Sequence, residues 1–197
     1  MRFVSSIIAA LLLTTGAATA APVKYTLDPN HTRIDFSWTH FGFSHPMGRF
    51  DQFDGDFRFD PADPTQSTVV VTIPVDSIDT GVAKLDAHLK SADFFDAAKY
   101  PTATFKSTRV ERSGEHGLKV TGDLSVHGVT KPVVLDVVVN KIGPHPMAGR
   151  AAAGFDATAT IKRSDFGISN YVPNVSDEIE LSISTEAMVP ASAGESQ

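Results

Sequence analysis

Arg33-Ile34-Asp35-Phe36-Ser37-Trp38-Thr39 alternates without a break: Ile34, Phe36 and Trp38 share one parity, and Arg33, Asp35, Ser37 and Thr39 share the other. Successive side chains on a β-strand point to opposite faces, so this segment offers one face to a core and the other to water. The same period recurs down the chain. Val69, Val71, Ile73 and Val75 share a parity, as do Val133, Leu135, Val137 and Val139, and Ile179, Leu181 and Ile183. Leu118, Val120, Leu124 and Val126 form another such set. A chain patterned in this way encloses one apolar interior behind one polar exterior. It predicts a small all-β antiparallel barrel or sandwich, and a barrel interior can hold a ligand.

The pattern predicts strands near 24–29, 31–42, 49–60, 67–76, 101–112, 117–127, 131–142, 149–163 and 177–188. Turn chemistry separates them: Asp60-Pro61-Ala62-Asp63-Pro64, Ser113-Gly114-Glu115-His116-Gly117 and Gly143-Pro144-His145-Pro146. Such short gaps favour antiparallel hairpins over crossover connections. One stretch breaks the period. Val82, Leu85, Leu89 and Ala92 follow helical spacing, and a second short helical turn is expected near 93–98 before Lys99-Tyr100-Pro101 stops it. This insert near 82–98 either caps one end of the barrel or crosses its surface.

Residues 1–20 are read as a secretory leader: Arg2, the apolar run Ile7–Leu13, and a small-residue cleavage site at Ala18-Thr19-Ala20. The expected mature chain starts at Ala21, lies outside the cytoplasm and, by the bacterial look of the leader, is periplasmic. One domain over 21–190 and a disordered tail over 191–197 complete the division. With no cysteine in the chain, disulfides, thiolate metal sites and cysteine catalysis are excluded. The formal net charge of −6 argues against a nucleic-acid partner. No segment of the mature chain is long and apolar enough for a transmembrane helix. A homodimer is open to such a chain.

The residues that could carry chemistry do not form a catalytic pattern. The seven histidines (His31, His40, His45, His88, His116, His127 and His145) include no His-x-His and no Glu-bearing i, i+4 pair, so no metal site is expected. There is no Gly-x-Ser-x-Gly elbow and no glycine-rich phosphate loop before a helix. Asp123, Ser125 and His127 share the polar parity of a predicted strand and are expected to face solvent or another polar surface. Thirteen phenylalanines remain, many of them on predicted strands. They furnish either a filled core or the lining of an apolar cavity. No catalytic residue and no cofactor are assigned, which favours a binding protein over an enzyme.

Four ordered motifs resemble the YceI-like family of secreted bacterial proteins. They are Tyr25-Thr26-Leu27-Asp28-Pro29-Asn30-His31-Thr32 with His40-Phe41-Gly42; Asp86-Ala87-His88-Leu89-Lys90-Ser91-Ala92-Asp93-Phe94-Phe95-Asp96 with Lys99-Tyr100-Pro101; Gly122-Asp123-Leu124-Ser125-Val126-His127-Gly128-Val129-Thr130-Lys131-Pro132; and Arg163-Ser164-Asp165-Phe166-Gly167 with Val175-Ser176-Asp177-Glu178. The resemblance spans roughly residues 25–188. It implies a single lipocalin-like antiparallel barrel of about eight strands that holds a long polyisoprenoid or similar amphiphilic lipid. It also shows a departure: the second motif often opens on arginine where this chain has Leu85. The expected cavity residues are Phe36, Trp38, Phe57, Phe94, Phe105, Phe155 and Phe166. The expected head-group residues at the mouth are His88, Lys90, Arg163 and Asn170. The function expected is a periplasmic carrier. Its alternatives are an enzyme acting on a lipid or isoprenoid, with His40 beside Asp35 or Asp165, and a filled barrel serving in stress or protein interaction.

Overall fold

Alternating strands are stable only when both edges of each are paired and the apolar face is covered, and here the sheet meets both demands by closing on itself. The computed structural model describes residues 21–191, so the expected leader 1–20 and tail residues 192–197 lie outside the described residues. The strands are β1 (Val23–Leu27), β2 (Arg33–Ser37), β3 (Met47–Phe50), β4 (Asp54–Phe59), β5 (Thr68–Pro74), β6 (Ile78–Asp79), β7 (Thr102–Arg112), β8 (Gly117–Val126), β9 (Val129–Pro144), β10 (Ala151–Lys162) and β11 (Glu178–Met188). One helix, α1 (Ala83–Lys90), lies between β6 and β7. The ring runs β1-β4-β5-β7-β8-β9-β10-β11, and β11 pairs back onto β1 to close an antiparallel eight-stranded barrel. The fold is lipocalin-like.

The remaining strands lengthen one side of this ring. β11 pairs with β1 at Ala187 and Met188, but with β2 from Glu180 to Ser184. β2 pairs β3, and β3 pairs β6. Three walls of the barrel, β1/β2, β4/β3 and β5/β6, are therefore each built from two short strands, whereas β7 to β11 run unbroken.

Two predicted strands change under this arrangement. The strand expected at 49–60 is split by Asp51-Gln52-Phe53, and the split has a reason in parity. Phe50 is even-numbered while Phe53, Phe57 and Phe59 are odd, yet all four line the interior. A uniform strand cannot point both sets inward, so the chain leaves the ladder, with the Asp51 amide donating to Ser77 O (3.0 Å). The strand expected at 31–42 ends at Ser37. Its partner beyond Met47 is Pro46, which has no amide to donate, and the pairing thins to Trp38 N–H to Pro46 O and His40 N–H to Ser44 O around the hairpin tip Phe41-Gly42-Phe43.

Aromatic packing shuts the barrel at the end remote from α1. Tyr25, Phe57, Phe59 and Phe155 stand with ring centroids 5.2–6.1 Å apart, mostly tilted or edge-to-face. At the other end Leu89 of α1 is buried against Phe36 and Ile78, with Leu85, Phe94 and Phe95 packed alongside. The insert therefore caps the barrel. Its second part is a set of hydrogen-bonded turns rather than a helix, with Phe95 N–H on Leu89 O and Asp96 N–H on Ser91 O (both 2.9 Å).

Phe59 is 1% exposed at the centre of the closed end. Phe59→Ala is expected to cost about 3–5 kcal/mol, read as a lower midpoint in chemical denaturation. Val70→Ala, at an outward position that is 38% exposed, is expected to stay within about 0.5 kcal/mol of the parent. Similar losses for the two would contradict the assignment of the aromatic cluster as the closing plug.

A candidate apolar ligand cavity

Inward-facing side chains from every wall surround a cavity of about 750 Å³ between the aromatic plug and α1. The interior is hollow rather than filled. All seven residues expected to line it do so. They are spread along its length. Phe57 and Phe155 lie at the closed end, 5.6 Å apart. Phe105 and Phe166 belong to the central cluster with Leu118, Leu124 and Val133. Phe36 and Trp38 stack at 5.8 Å near the capped end, where Phe94 also lies. Two glycines make room for this lining: Phe105 covers Gly122 across β7–β8, and Phe36 covers its register partner Gly48, so neither position admits a Cβ without displacement of a ring.

The four residues expected at the mouth divide. His88 lines the cavity, its ring 4.9 Å from Phe94 and 6.2 Å from Tyr171, with Nε2 3.8 Å from the Asp93 carboxylate. Leu85, in the place of the family's frequent arginine, lines it one turn earlier. Lys90 does not, because the helix presents Leu85, His88 and Leu89 on its inner face and carries residue 90 about 100° further round. Asn170 does not either. Its side-chain amide donates to Asp93 O (2.8 Å), which ties the loop before β11 to the turns after α1.

Arg163 lines the cavity but is buried rather than exposed at the mouth. It is 7% exposed, and its guanidinium donates to three backbone carbonyls: Nε to Ser176 O (2.9 Å), Nη1 to Ile168 O (3.1 Å) and Nη2 to Val175 O (3.0 Å). Burial pushes its pKa down, and nearby Asp177 acts in the opposite sense. Asp177 in turn accepts from the Ser164 amide (2.9 Å) and hydroxyl (2.7 Å). Its burial opposes ionisation, but these bonds and the charge of Arg163 outweigh it, and its pKa falls. Together they fix the loop 163–177 across the mouth. A planar fork suits this task, since a buried carbonyl needs a donor and three carbonyls converge on one side chain.

No catalytic constellation assembles among the described residues. Asp35 points outward and pairs with Arg33 (3.0 Å). Asp165 is exposed, and His40 packs on Phe41 without an ion pair to either carboxylate. Ser125 shares a hydrogen bond with Thr130 (2.6 Å), away from His127. His127 itself departs from the polar parity expected of it. With φ of 52° at the β8–β9 turn, it swings under Tyr100 and donates from Nδ1 to Phe166 O (3.0 Å). No group of three His, Asp or Glu side chains converges to hold a metal among the described residues.

Sequence reasoning missed Phe50, Phe53, Phe95 and Tyr171, which also line the cavity. The parity switch between Phe50 and Phe53 was an available signal. Tyr171 lies in a loop, where no period marks it.

The class of protein is thus a lipocalin-like barrel with an internal apolar site. The sequence matches the YceI-like domain over residues 25–187. It is 43% identical over 181 residues to the protein YceI of Salmonella arizonae, covering 92% of this chain and 94% of that one. Among solved structures, Burkholderia cenocepacia BcnA superposes with a TM-score of 0.74 at 27% identity, over 81% of this chain and 98% of that one. The Campylobacter jejuni YceI protein gives 0.72 at 34% identity, over 78% and 90%. This chain belongs to the YceI-like family.

Arg163→Lys tests the loop anchor. An ammonium has three donors but only one nitrogen, so it cannot reach carbonyls placed for the three separate nitrogens of the guanidinium, and each buried carbonyl left without a donor costs about 1–3 kcal/mol. A lower melting temperature and faster amide exchange confined to 163–177 are expected. Unchanged exchange in that loop would contradict the anchoring role.

Proposed function

We propose that this protein binds a long, flexible apolar chain, a polyisoprenoid or similar amphiphilic lipid, inside the barrel, and carries or sequesters it in the periplasm. The observation that carries the reading is the cavity of about 750 Å³ with an almost wholly apolar lining. Ligand sites commonly span about 300–1,000 Å³, and an eight-stranded barrel leaves room for little more than one ligand. A polyisoprenoid-binding domain from Saccharophagus degradans has the same fold, with a TM-score of 0.61 at 17% identity over 85% of this chain and 99% of that one. That likeness supports the choice of ligand class. The leader-like residues 1–20 support the compartment.

The mechanism is burial. Each methylene taken from water contributes about 0.8 kcal/mol, offset in part by the entropy lost in ordering the chain. Apolar contacts have little directionality, so tail recognition is tolerant and length-dependent. The head group stays at the mouth. There it meets His88 and Tyr171, because Leu85 supplies no charge and the donors of Arg163 are turned to the loop carbonyls. The role is binding rather than catalysis, a reading supported by the almost wholly apolar lining.

Trp38 is the only tryptophan and lines the cavity, so its fluorescence reports that one place. Titrating delipidated protein with a long isoprenoid is expected to change the emission saturably. A chain of half the length should bind far more weakly. Trp38→Phe should fold and bind normally while losing the signal, since it keeps the site apolar. Delipidated, folded protein that shows no length-dependent binding would overturn the carrier reading.

A further inference from the structure

The rim of the cavity carries apolar side chains that the interior does not bury. Phe43 is 93% exposed, Tyr171 57%, Val82 54% and Phe41 50%. They come from three separate segments drawn together at one end of the barrel: the β2–β3 hairpin tip, the residue before α1, and the loop before β11. The tip is fastened to that loop by the Phe41 amide on Asn174 O (2.8 Å) and the Ser176 amide on Thr39 O (2.9 Å). The loop is fastened to the helix through Tyr171, 6.2 Å from both His88 and Phe94. Phe41, Val82 and Tyr171 also line the cavity, so the exposed patch is the outer margin of the apolar interior.

Two further features bear on what covers this rim. Phe41 and Gly42 adopt positive φ (52° and 72°), a conformation uncommon for a bulky residue, at the tip that presents Phe43 to solvent. The charge pattern is the second. The chain has 23 acidic residues, yet residues 38–49 and 167–176, which carry Phe41, Phe43 and Tyr171, contain none; the carboxylates at this end, exposed Asp93 among them, belong to the α1 segment. A single exposed apolar residue is ordinary, but a contiguous patch at the opening of an apolar cavity is not. Aromatic side chains in loops free of carboxylates suit a phospholipid surface, where rings settle at head-group level and anionic lipids repel acidic residues.

We infer that this rim docks on a lipid bilayer, with Phe43 entering the interface, so that a chain passes between bilayer and cavity without crossing water. The inference rests on the lipid-carrier reading. Vesicles of phosphatidylcholine and phosphatidylglycerol test it in two measurements: cosedimentation of the protein, and the rate and final extent of transfer of a fluorescent long-chain isoprenoid from the vesicles. Phe43→Ser is compared with Met147→Ser, which removes an equally exposed (92%) apolar residue at the β9–β10 turn on the opposite end. Phe43→Ser is expected to lower vesicle partitioning about tenfold and to slow transfer, with the final occupancy unchanged. Met147→Ser should change neither. The inference is overturned if the parent protein does not partition, or if the two variants behave alike. It is also overturned if Phe43 instead supports a dimer in solution that vesicles do not dissociate, since the rim would then be an interface between copies. Phe43-dependent partitioning without any uptake of the isoprenoid would uphold the docking and overturn the carrier reading.

Discussion

The fold depends on how β11 is shared. One edge of this strand pairs with β10 continuously, from Ala152↔Met188 to Lys162↔Glu178. The other edge must serve two strands, β1 at its end and β2 along its middle. The chain manages this by breaking at Asp28-Pro29-Asn30-His31, where the Asp28 carboxylate accepts the Asn30 amide (2.8 Å) and the His31 ring (3.0 Å). The hydrogen bond from His31, with that from the Asn30 amide, holds the Asp28 pKa below its ordinary value. Proline at the joint removes an amide that has no ladder partner. From this joint follow the paired breaks in the next two walls, since β2 can continue only by carrying β3 and β6 with it.

The cavity occupies the middle of this barrel. An eight-stranded barrel is usually just wide enough for its own side chains to fill. Here Tyr25, Phe57, Phe59 and Phe155 close one end and Phe36, Trp38, Phe50 and Phe95 flank the other, with the hollow between them. Neither aromatic cluster fills the middle. The loop anchored by Arg163 and the helix α1 then roof the opening without sealing it.

Much of this was legible in the residues because a period of two is enforced by burial. The inner sets of β5, β8, β9 and β11 were read directly, and all seven expected aromatics face the interior. The helical spacing of Leu85 and Leu89 marked α1. What escaped was whatever depends on tertiary pairing. The split of 49–60 is recorded only as a parity change, and the loss of pairing after Ser37 depends on Pro46 lying opposite. Arg163 was read by its charge, but its partners are backbone carbonyls 5–13 residues away, which no side-chain pattern encodes. Lys90 stands a single step around the helix from the lining residue Leu89, and Tyr171 and Phe41 lie where the chain has no period.

The central claim is that the hollow between the plug and α1 is occupied by one long apolar chain. The most direct measurement is mass spectrometry of the protein isolated from its native cells without detergent. Intact ions would be recorded under non-denaturing conditions, followed by organic extraction of the same sample. The account predicts a discrete mass increment at one ligand per chain, lost on extraction and recovered as a long-chain isoprenoid or related lipid. Protein that is folded, free of any such adduct and unable to regain one from a lipid extract would contradict it.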